Sequence, residues 1–262
     1  VIGGGINGSG IVRYASGRNL KFCLIEKNKV GSATSSWSTK LIHGGLRYLE
    51  NYEFRLVRES LKEREVIKKI ASNITTPLPF IIPYQKSLRP KWLIKLGLFL
   101  YDNIGGKMTI PKSSTINIKK EIPNILKDQF KIGFQYYDLQ VDDKKLVQLN
   151  VEDAKKKGAM IIQNRKVIDA KRNKNIWDIT LDDKTILKSK ILMNAAGPWI
   201  NEVLNNVIKL NSNKSIRLVK GSHIITKSLY SQKKAFTLQN EDNRIIFVIP
   251  YKDKYSLIGT TE

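Results

Sequence analysis

The sequence predicts an α/β fold in which a βαβ unit on a parallel sheet is followed by a second, mainly antiparallel domain. Three observations predict it. The chain opens "VIGGGINGSGIVRYASGRNLKFCLIEK", which reads as strand end, glycine-rich turn, helix and second strand. Short apolar runs separated by polar turns follow between 160 and 197, and the middle two, "KVIDAKR" and "IWDITLDD", read as an antiparallel meander. From 216 onward "IRLVKGSHIITKS", "AFTLQN", "RIIFVIPY" and "YSLIGTTE" are again strand-like.

Each element has a local reason. Ile6, Ile11 and Ala15 fall on one face of the first helix, and Gly17 and Asn19 close it. "KFCLIE" is a short buried strand. A small, hydroxyl-rich loop, "GSATSSWSTK", leads through "TKLIHGGLRYLE" to a helix over 52–71, with Phe54, Val57 and Leu61 as its apolar stripe and Glu65 to Lys69 as an ion pair on the wet side. Pro77, Pro79 and Pro83 make "PLPFIIPY" an edge strand or loop and mark a change of domain. In "RPKWLIKLGLFLYDNIGG", Trp92, Leu93, Leu96, Phe99 and Leu100 sit on a helix flanked by Arg89, Lys91 and Lys95, which suits an interfacial membrane helix or one buried between domains. Another helix spans 142–157.

The 262 residues are 41% apolar and 26% charged, an ordinary globular composition with enough chain for a large core. No run of apolar residues is long enough to span a bilayer, and no leader with a cleavage site is visible. The chain begins at Val1 rather than Met and stops just past an apparent strand, which reads as a fragment. One cysteine, Cys23, excludes an internal disulfide and fits a reducing compartment. The net charge of +23 comes from 35 Lys and 11 Arg spread evenly along the chain. Nucleic-acid sites favour Arg and interleaved aromatics, so a solvated lysine-rich surface or an acidic membrane fits better. Such a field also steers a small dianionic substrate.

Gly3, Gly5 and Gly8 satisfy GxGxxG. The first permits the tight turn, the second lets a pyrophosphate reach the backbone, and the third allows close helix–strand packing. Glu26, ending the second strand, is placed to accept from a ribose hydroxyl. The Ser/Thr-rich loop after it favours an extended flavin dinucleotide over a nicotinamide one. At 194–199, "NAAGPW" puts small residues at a strand end, where a ligand can approach closely.

Taken in order, "GGGINGSG", "LIEK", "TSSWSTKLIHGGLRYLENYEFRLVRESLKERE", "RPKWLIKLGLFLYD", "VDDKKLV", "NAAGPW", "IRLVKGSHI" and "IIFVIPY…LIGTT" resemble the FAD-dependent, quinone-linked glycerol-3-phosphate dehydrogenases. The third of these motifs is specific to that family; GxGxxG and "NAAGPW" are shared with the wider amino-acid-oxidase-like flavoproteins. The resemblance implies a Rossmann-like FAD-binding domain of the glutathione-reductase/amino-acid-oxidase type, over 1–70 and 138–205, interleaved with an antiparallel-sheet substrate-binding cap over 71–137 and 206–262. Family members are longer, and their C-terminal part supplies further phosphate and flavin contacts. FAD contacts are expected from Gly3, Gly5, Ile6, Asn7, Gly8, Glu26, Lys27, Thr34, Ser35, Ser36, Lys40, His43, Gly44, Val167, Ala195, Ala196, Gly197 and Trp199, with no metal.

The implied reaction converts sn-glycerol 3-phosphate to dihydroxyacetone phosphate and passes electrons to ubiquinone. Arg47 and Tyr48 are the expected substrate ligands, with Arg47 also assigned to catalysis because its planar fork matches phosphate oxygens. The chain has two histidines, His43 and His223, as candidate bases, and His223 is favoured as base or substrate ligand. The family also implies membrane-surface contact at the cytoplasmic face of the bacterial inner membrane, no nucleic-acid partner, and leaves an oligomer open. Two other classes compete: a related FAD oxidase using oxygen or another substrate, and a basic nucleic-acid-binding protein with a vestigial nucleotide fold, which would bind with a steep salt dependence and carry no yellow chromophore.

Overall fold

A computed structural model describes the chain except residues 19, 211–215, 243, 261 and 262, so Asn19 as a helix stop lies outside the described residues. In chain order the regular elements begin α1 Ile6–Ser16, β1 Cys23–Glu26, β2 Leu41–Ile42, α2 Phe54–Ile70, β3 Thr75–Pro83 and α3 Lys91–Asn103. They continue β4 Ser114–Asn117, α4 Ile118–Glu121, β5 Ile132–Val141, α5 Asp143–Lys156 and β6 Met160–Gln163. The chain then runs β7 Val167–Asn173, β8 Ile176–Leu181, β9 Ile186–Ser189, α6 Ile200–Glu202, β10 Ser222–Lys227, β11 Ala235–Gln239, β12 Ile245–Tyr251 and β13 Tyr255–Thr260. It folds as two units, one of Val1–Ser38 with Asp142–Leu218 and one of Thr39–Val141 with Val219–Glu262.

The first unit carries the βαβ opening. β1 and β6 pair in parallel, and isolated parallel bridges join Ile2 to Ile25 and to Asn194. On one side Val12 of α1 meets Val151 and Ala154 of α5 over Leu24; these α5 positions are one turn apart on a single face. On the other, Ile2 and Ile25 pack with Val167, Ala170, Ile179 and Leu181 of the antiparallel sheet β7-β8-β9.

The second unit is an eight-stranded sheet, ordered β10-β13-β12-β11-β3-β5-β2 with β4 also on β5. Strand alternation splits β3 between two cores. Leu78, Phe80 and Ile82 join Val57 and Leu61 of α2 and Leu98 and Tyr101 of α3, whereas Ile81 joins Ile116, Ile118, Phe236 and Val248 on the opposite face.

Several expectations are corrected here. "PLPFIIPY" is not an edge: β3 is internal, antiparallel to β5 along its length and parallel to β11 only at Phe80 and Ile81. The Tyr84 N–H donates to the Ile132 carbonyl, so even-numbered N–H groups face β5 and odd-numbered ones face β11. Pro77, Pro79 and Pro83 are all odd. Ile81 is the odd position among them that keeps its N–H, and that is where β11 pairs.

The boundary expected at 70 falls instead at Ser38, because Val57 and Leu61 bury into the antiparallel core. Residues 138–141 likewise belong to β5, while Val207 packs with Ile2 and Val167 and so draws the stretch up to Leu218 into the first unit. Glu65 is not on the wet side: its side chain is 15% exposed, and it accepts from the Thr109 N–H and hydroxyl at 2.9 and 2.6 Å. Strand structure begins at Ser222 rather than 216, and 190–193 are irregular.

Candidate functional site

The glycine turn of the first unit is built by close contacts. Gly3 has φ +106°, and a Cβ there would lie 2.5 Å from the Ala195 carbonyl oxygen, so this glycine lets the turn cross the 194–197 strand end. A Cβ on Gly8 would strike the Gly3 carbonyl oxygen, which fixes α1 directly over the turn. Gly4, given no role by the GxGxxG pattern, is equally confined. Its N–H donates to Glu26 Oε2 at 2.6 Å, and its Cβ would meet Glu26 Cβ and Val30.

Glu26 Oε1 also accepts from the Asn28 N–H at 2.9 Å. Each carboxylate oxygen retains a second lone pair, so Glu26 can still accept from a hydroxyl. At the start of α1 the Ile6 N–H donates to Ser35 Oγ at 2.9 Å, which brings the hydroxyl-rich loop to the positive end of the helix.

Around this turn lies one cleft. Gly3, Gly5, Ile6, Asn7, Glu26, Lys27, Thr34, Ser35, Val167, Ala195, Ala196, Gly197 and Trp199 all line it. Gly8 and Ser36 do not: Gly8 is buried beneath the turn, and the Ser36 hydroxyl donates to the Ala33 carbonyl. The Lys27 ammonium sits 4.5 Å from the Trp199 ring centroid, a cation–π contact on the cleft wall.

Sequence reasoning missed Arg165 and Lys166, which line the same wall. Arg165 Nε donates to Asp183, whose carboxyl is held down at about 2 first by the Thr185 backbone N–H and then by Arg165. It also missed how "NAAGPW" is pinned: Asn194 donates to the Ile200 carbonyl and accepts from the Ala196 N–H. β7 is irregular between Val167 and Asp169, a bulge beside the cleft.

Lys40, His43, Gly44, Arg47, Tyr48 and His223 belong to the second unit. Lys40 adopts φ +62°, an uncommon backbone state for a non-glycine residue. His43, Arg47 and Tyr48 are exposed, and among the described residues the structure gives Arg47 no ion pair. The two adjacent glycines serve packing inside this unit. A Cβ on Gly44 would collide with Leu61 and lie 2.8 Å from the Tyr101 ring, and one on Gly45 (φ +72°) would strike the Tyr48 ring.

His223, on β10, lies opposite Gly259 of β13, whose missing side chain makes room for the imidazole. Its Nε2 is buried with no hydrogen-bond partner among the described residues. Burial, and then the nearby Lys40 charge, lower its pKa and favour the neutral ring.

A glycine turn at a helix N-terminus, an acidic strand end and a cleft walled by small residues define a dinucleotide-binding flavoprotein fold. The cleft fits an extended dinucleotide, because the side-chain-free turn exposes backbone where a pyrophosphate would lie and Glu26 keeps free lone pairs. The chain belongs to the FAD dependent oxidoreductase (DAO) family, which it matches over residues 1–262, and its cofactor is FAD.

It is 46% identical to the D-erythritol 1-phosphate dehydrogenase of Brucella abortus (strain 2308), covering 100% of this chain and 53% of that protein. With the aerobic glycerol-3-phosphate dehydrogenase of Escherichia coli (strain K12) the identity is 44%, again over 100% and 53%. The solved glycerol-3-phosphate dehydrogenase of Bacillus halodurans, complexed with FAD, superposes with a TM-score of 0.70 at 25% identity, over 99% of this chain and 46% of that one. The chain thus spans about half the length of the curated relatives it matches.

Proposed function

We propose that this chain is the FAD-binding and substrate-capping part of a dehydrogenase that oxidises sn-glycerol 3-phosphate to dihydroxyacetone phosphate. The observation that carries the reading is His223 Nε2, buried and without a hydrogen-bond partner among the described residues, in the same unit as the exposed Arg47, which among those residues makes no ion pair. A buried polar nitrogen without a partner is rare in a folded protein and fits one that bonds a ligand.

Oxidising a secondary alcohol beside a phosphate needs an acceptor for the hydroxyl proton and a cation for the phosphate. His223, kept neutral by burial, takes the proton of the C2 hydroxyl at Nε2. Arg47 holds the phosphate oxygens through its guanidinium fork, and Tyr48 borders the same segment. When bound, FAD would supply the acceptor for the C2 hydride, with ubiquinone as the proposed final electron acceptor. The first unit is the FAD-binding domain and the second the cap, with Lys40 and His43 as further cofactor contacts.

Membrane-surface contact belongs to the same proposal. On α3, Trp92, Leu93, Leu96 and Phe99 are 42–66% exposed at i, i+1, i+4 and i+7, opposite the buried Leu98 and Tyr101. A helix apolar on two faces has one to spare for the acyl boundary, with Lys91 and Lys95 at its edges. No helix among the described residues is long and apolar enough to cross a membrane. The proposal extends to a place on the cytoplasmic face of the bacterial inner membrane, where a quinone would be within reach.

The test is to purify the intact protein, record its visible spectrum and add glycerol 3-phosphate without oxygen. Flavin absorbance should bleach, and ubiquinone should restore it. A flavin that stays oxidised with glycerol 3-phosphate and bleaches with D-erythritol 1-phosphate would reassign the substrate; peroxide release without quinone reduction would make the protein an oxidase.

A further inference from the structure

The 43–48 segment is tied to a buried polar network that the mechanism does not use. Strand alternation puts Asp138 of β5 on the same face as Phe134 and Tyr136, inside the core under α2 and α3. There Asp138 Oδ1 accepts from Arg64 at 2.7 Å and from the Tyr101 hydroxyl at 2.7 Å. The Tyr101 oxygen in turn accepts the Gly44 N–H at 2.7 Å. Arg64, Tyr101 and Asp138 are 3%, 1% and 4% exposed.

The polarity of this chain is fixed at both ends. An amide N–H can only donate, and a carboxylate held by a guanidinium accepts, so the Tyr101 hydroxyl must donate inward and accept from the segment. Packing reinforces the tether. Gly44 lies against Leu61 and the Tyr101 ring, and Gly45 against the ring of Tyr48. The link therefore runs Asp138, Tyr101, Gly44, Gly45, Tyr48, with Arg47 beside it.

We infer that Tyr101 and Asp138 are positioning residues, which hold the Gly44 amide and thereby fix the segment that presents Arg47 and Tyr48. The substrate part of this inference rests on the proposed role of Arg47. In the intact protein the Gly44 amide should exchange its hydrogen far more slowly than the amides of an open loop. Tyr101→Phe should abolish that protection and raise KM for glycerol 3-phosphate about tenfold with flavin content unchanged.

The matched control is Tyr136→Phe, which deletes another buried hydroxyl, bonded to Thr237 Oγ1 at 3.0 Å rather than to the segment, and keeps the ring that packs edge-on against Tyr101. It should lower Tm comparably while leaving both readouts unmoved. A wild-type Gly44 amide that exchanges freely would overturn the inference without any variant having to fold. So would a Tyr101→Phe protein whose KM and Gly44 exchange match those of Tyr136→Phe. Failure of the substrate reading shows separately, as a wild-type flavin that glycerol 3-phosphate does not bleach, and the exchange result then decides the tether alone.

Discussion

Gly8→Ala tests the cofactor cradle most directly. An added Cβ would sit 1.8 Å from the Gly3 carbonyl oxygen, and real Cβ atoms essentially never approach closer than 3.0 Å, so the turn must open by about 1.2 Å. The atom it meets is backbone, held on its other side by the Ile25 carbonyl accepting the Gly3 N–H at 2.9 Å, and cannot swing aside like a side chain. A shift of that size takes backbone N–H groups out of hydrogen-bond range of a pyrophosphate. Two lost bonds to a charged group, at about 1.5 kcal/mol each, amount to ~3 kcal/mol or roughly 100-fold in Kd.

The control lies two residues along the same helix. A Cβ on Gly10 meets nothing within 4 Å, so Gly10→Ala should hold FAD normally and gain about 0.5–1 kcal/mol in stability from helix propensity. The assay is titration of apoprotein with FAD, followed by flavin fluorescence, with Tm measured alongside. A Gly8→Ala protein that binds FAD as tightly as Gly10→Ala would refute the reasoning.

Further outcomes are expected. Arg47→Lys should raise KM for glycerol 3-phosphate tenfold or more, since a point charge does not replace a planar fork; an unchanged KM would give Arg47 a different task. His223, with its pKa lowered from 6.5, stays neutral to lower pH than a free imidazole, so the acid limb of kcat/KM should lie below 6.5 and vanish in His223→Gln. Because the folded state then binds fewer protons than the unfolded chain, stability should fall as pH drops from 6.5 through the lowered pKa, and a pH series of denaturation midpoints checks the sign. Replacing both Trp92 and Phe99 by Glu should weaken sedimentation with anionic vesicles by about 100-fold, from ~1.5 kcal/mol of lost apolar burial at each site, while the flavin spectrum stays unchanged. Equal sedimentation would remove α3 from the membrane surface.

Much of the cofactor cleft was legible because its chemistry is local. A turn that brings backbone to a pyrophosphate needs glycine at set spacings, and Gly3, Gly5 and Glu26 stand within one βαβ unit. The pattern was blind to Gly4, whose need for a missing side chain comes from the Glu26 carboxylate folding back onto it. It was equally blind to Arg165 and Lys166, which arrive at the cleft from a segment with no motif of its own. β5 escaped notice because Asp138 interrupts an otherwise apolar alternation, and the prolines of β3 pointed toward an edge. Pairing parity, visible only once β5 and β11 lie on either side, makes those prolines harmless in mid-sheet.

The sequence alone determined the dinucleotide turn and the α/β class, since each depends on residue types and short spacings, while the candidate roles of Arg47, Tyr48 and His223 came from the resemblance of whole motifs to a family. Tertiary structure decided where one unit ends and the next begins, because Val57 and Leu61 could have buried against either sheet. It also decided what "TKLIHGGLRYLE" rests on. Gly44 reads in sequence as room for a ligand, yet its neighbours are Leu61 and Tyr101, from helices far along the chain, and its N–H is held by a hydroxyl that Asp138 orients. Long-range contacts of that kind leave no periodicity to read.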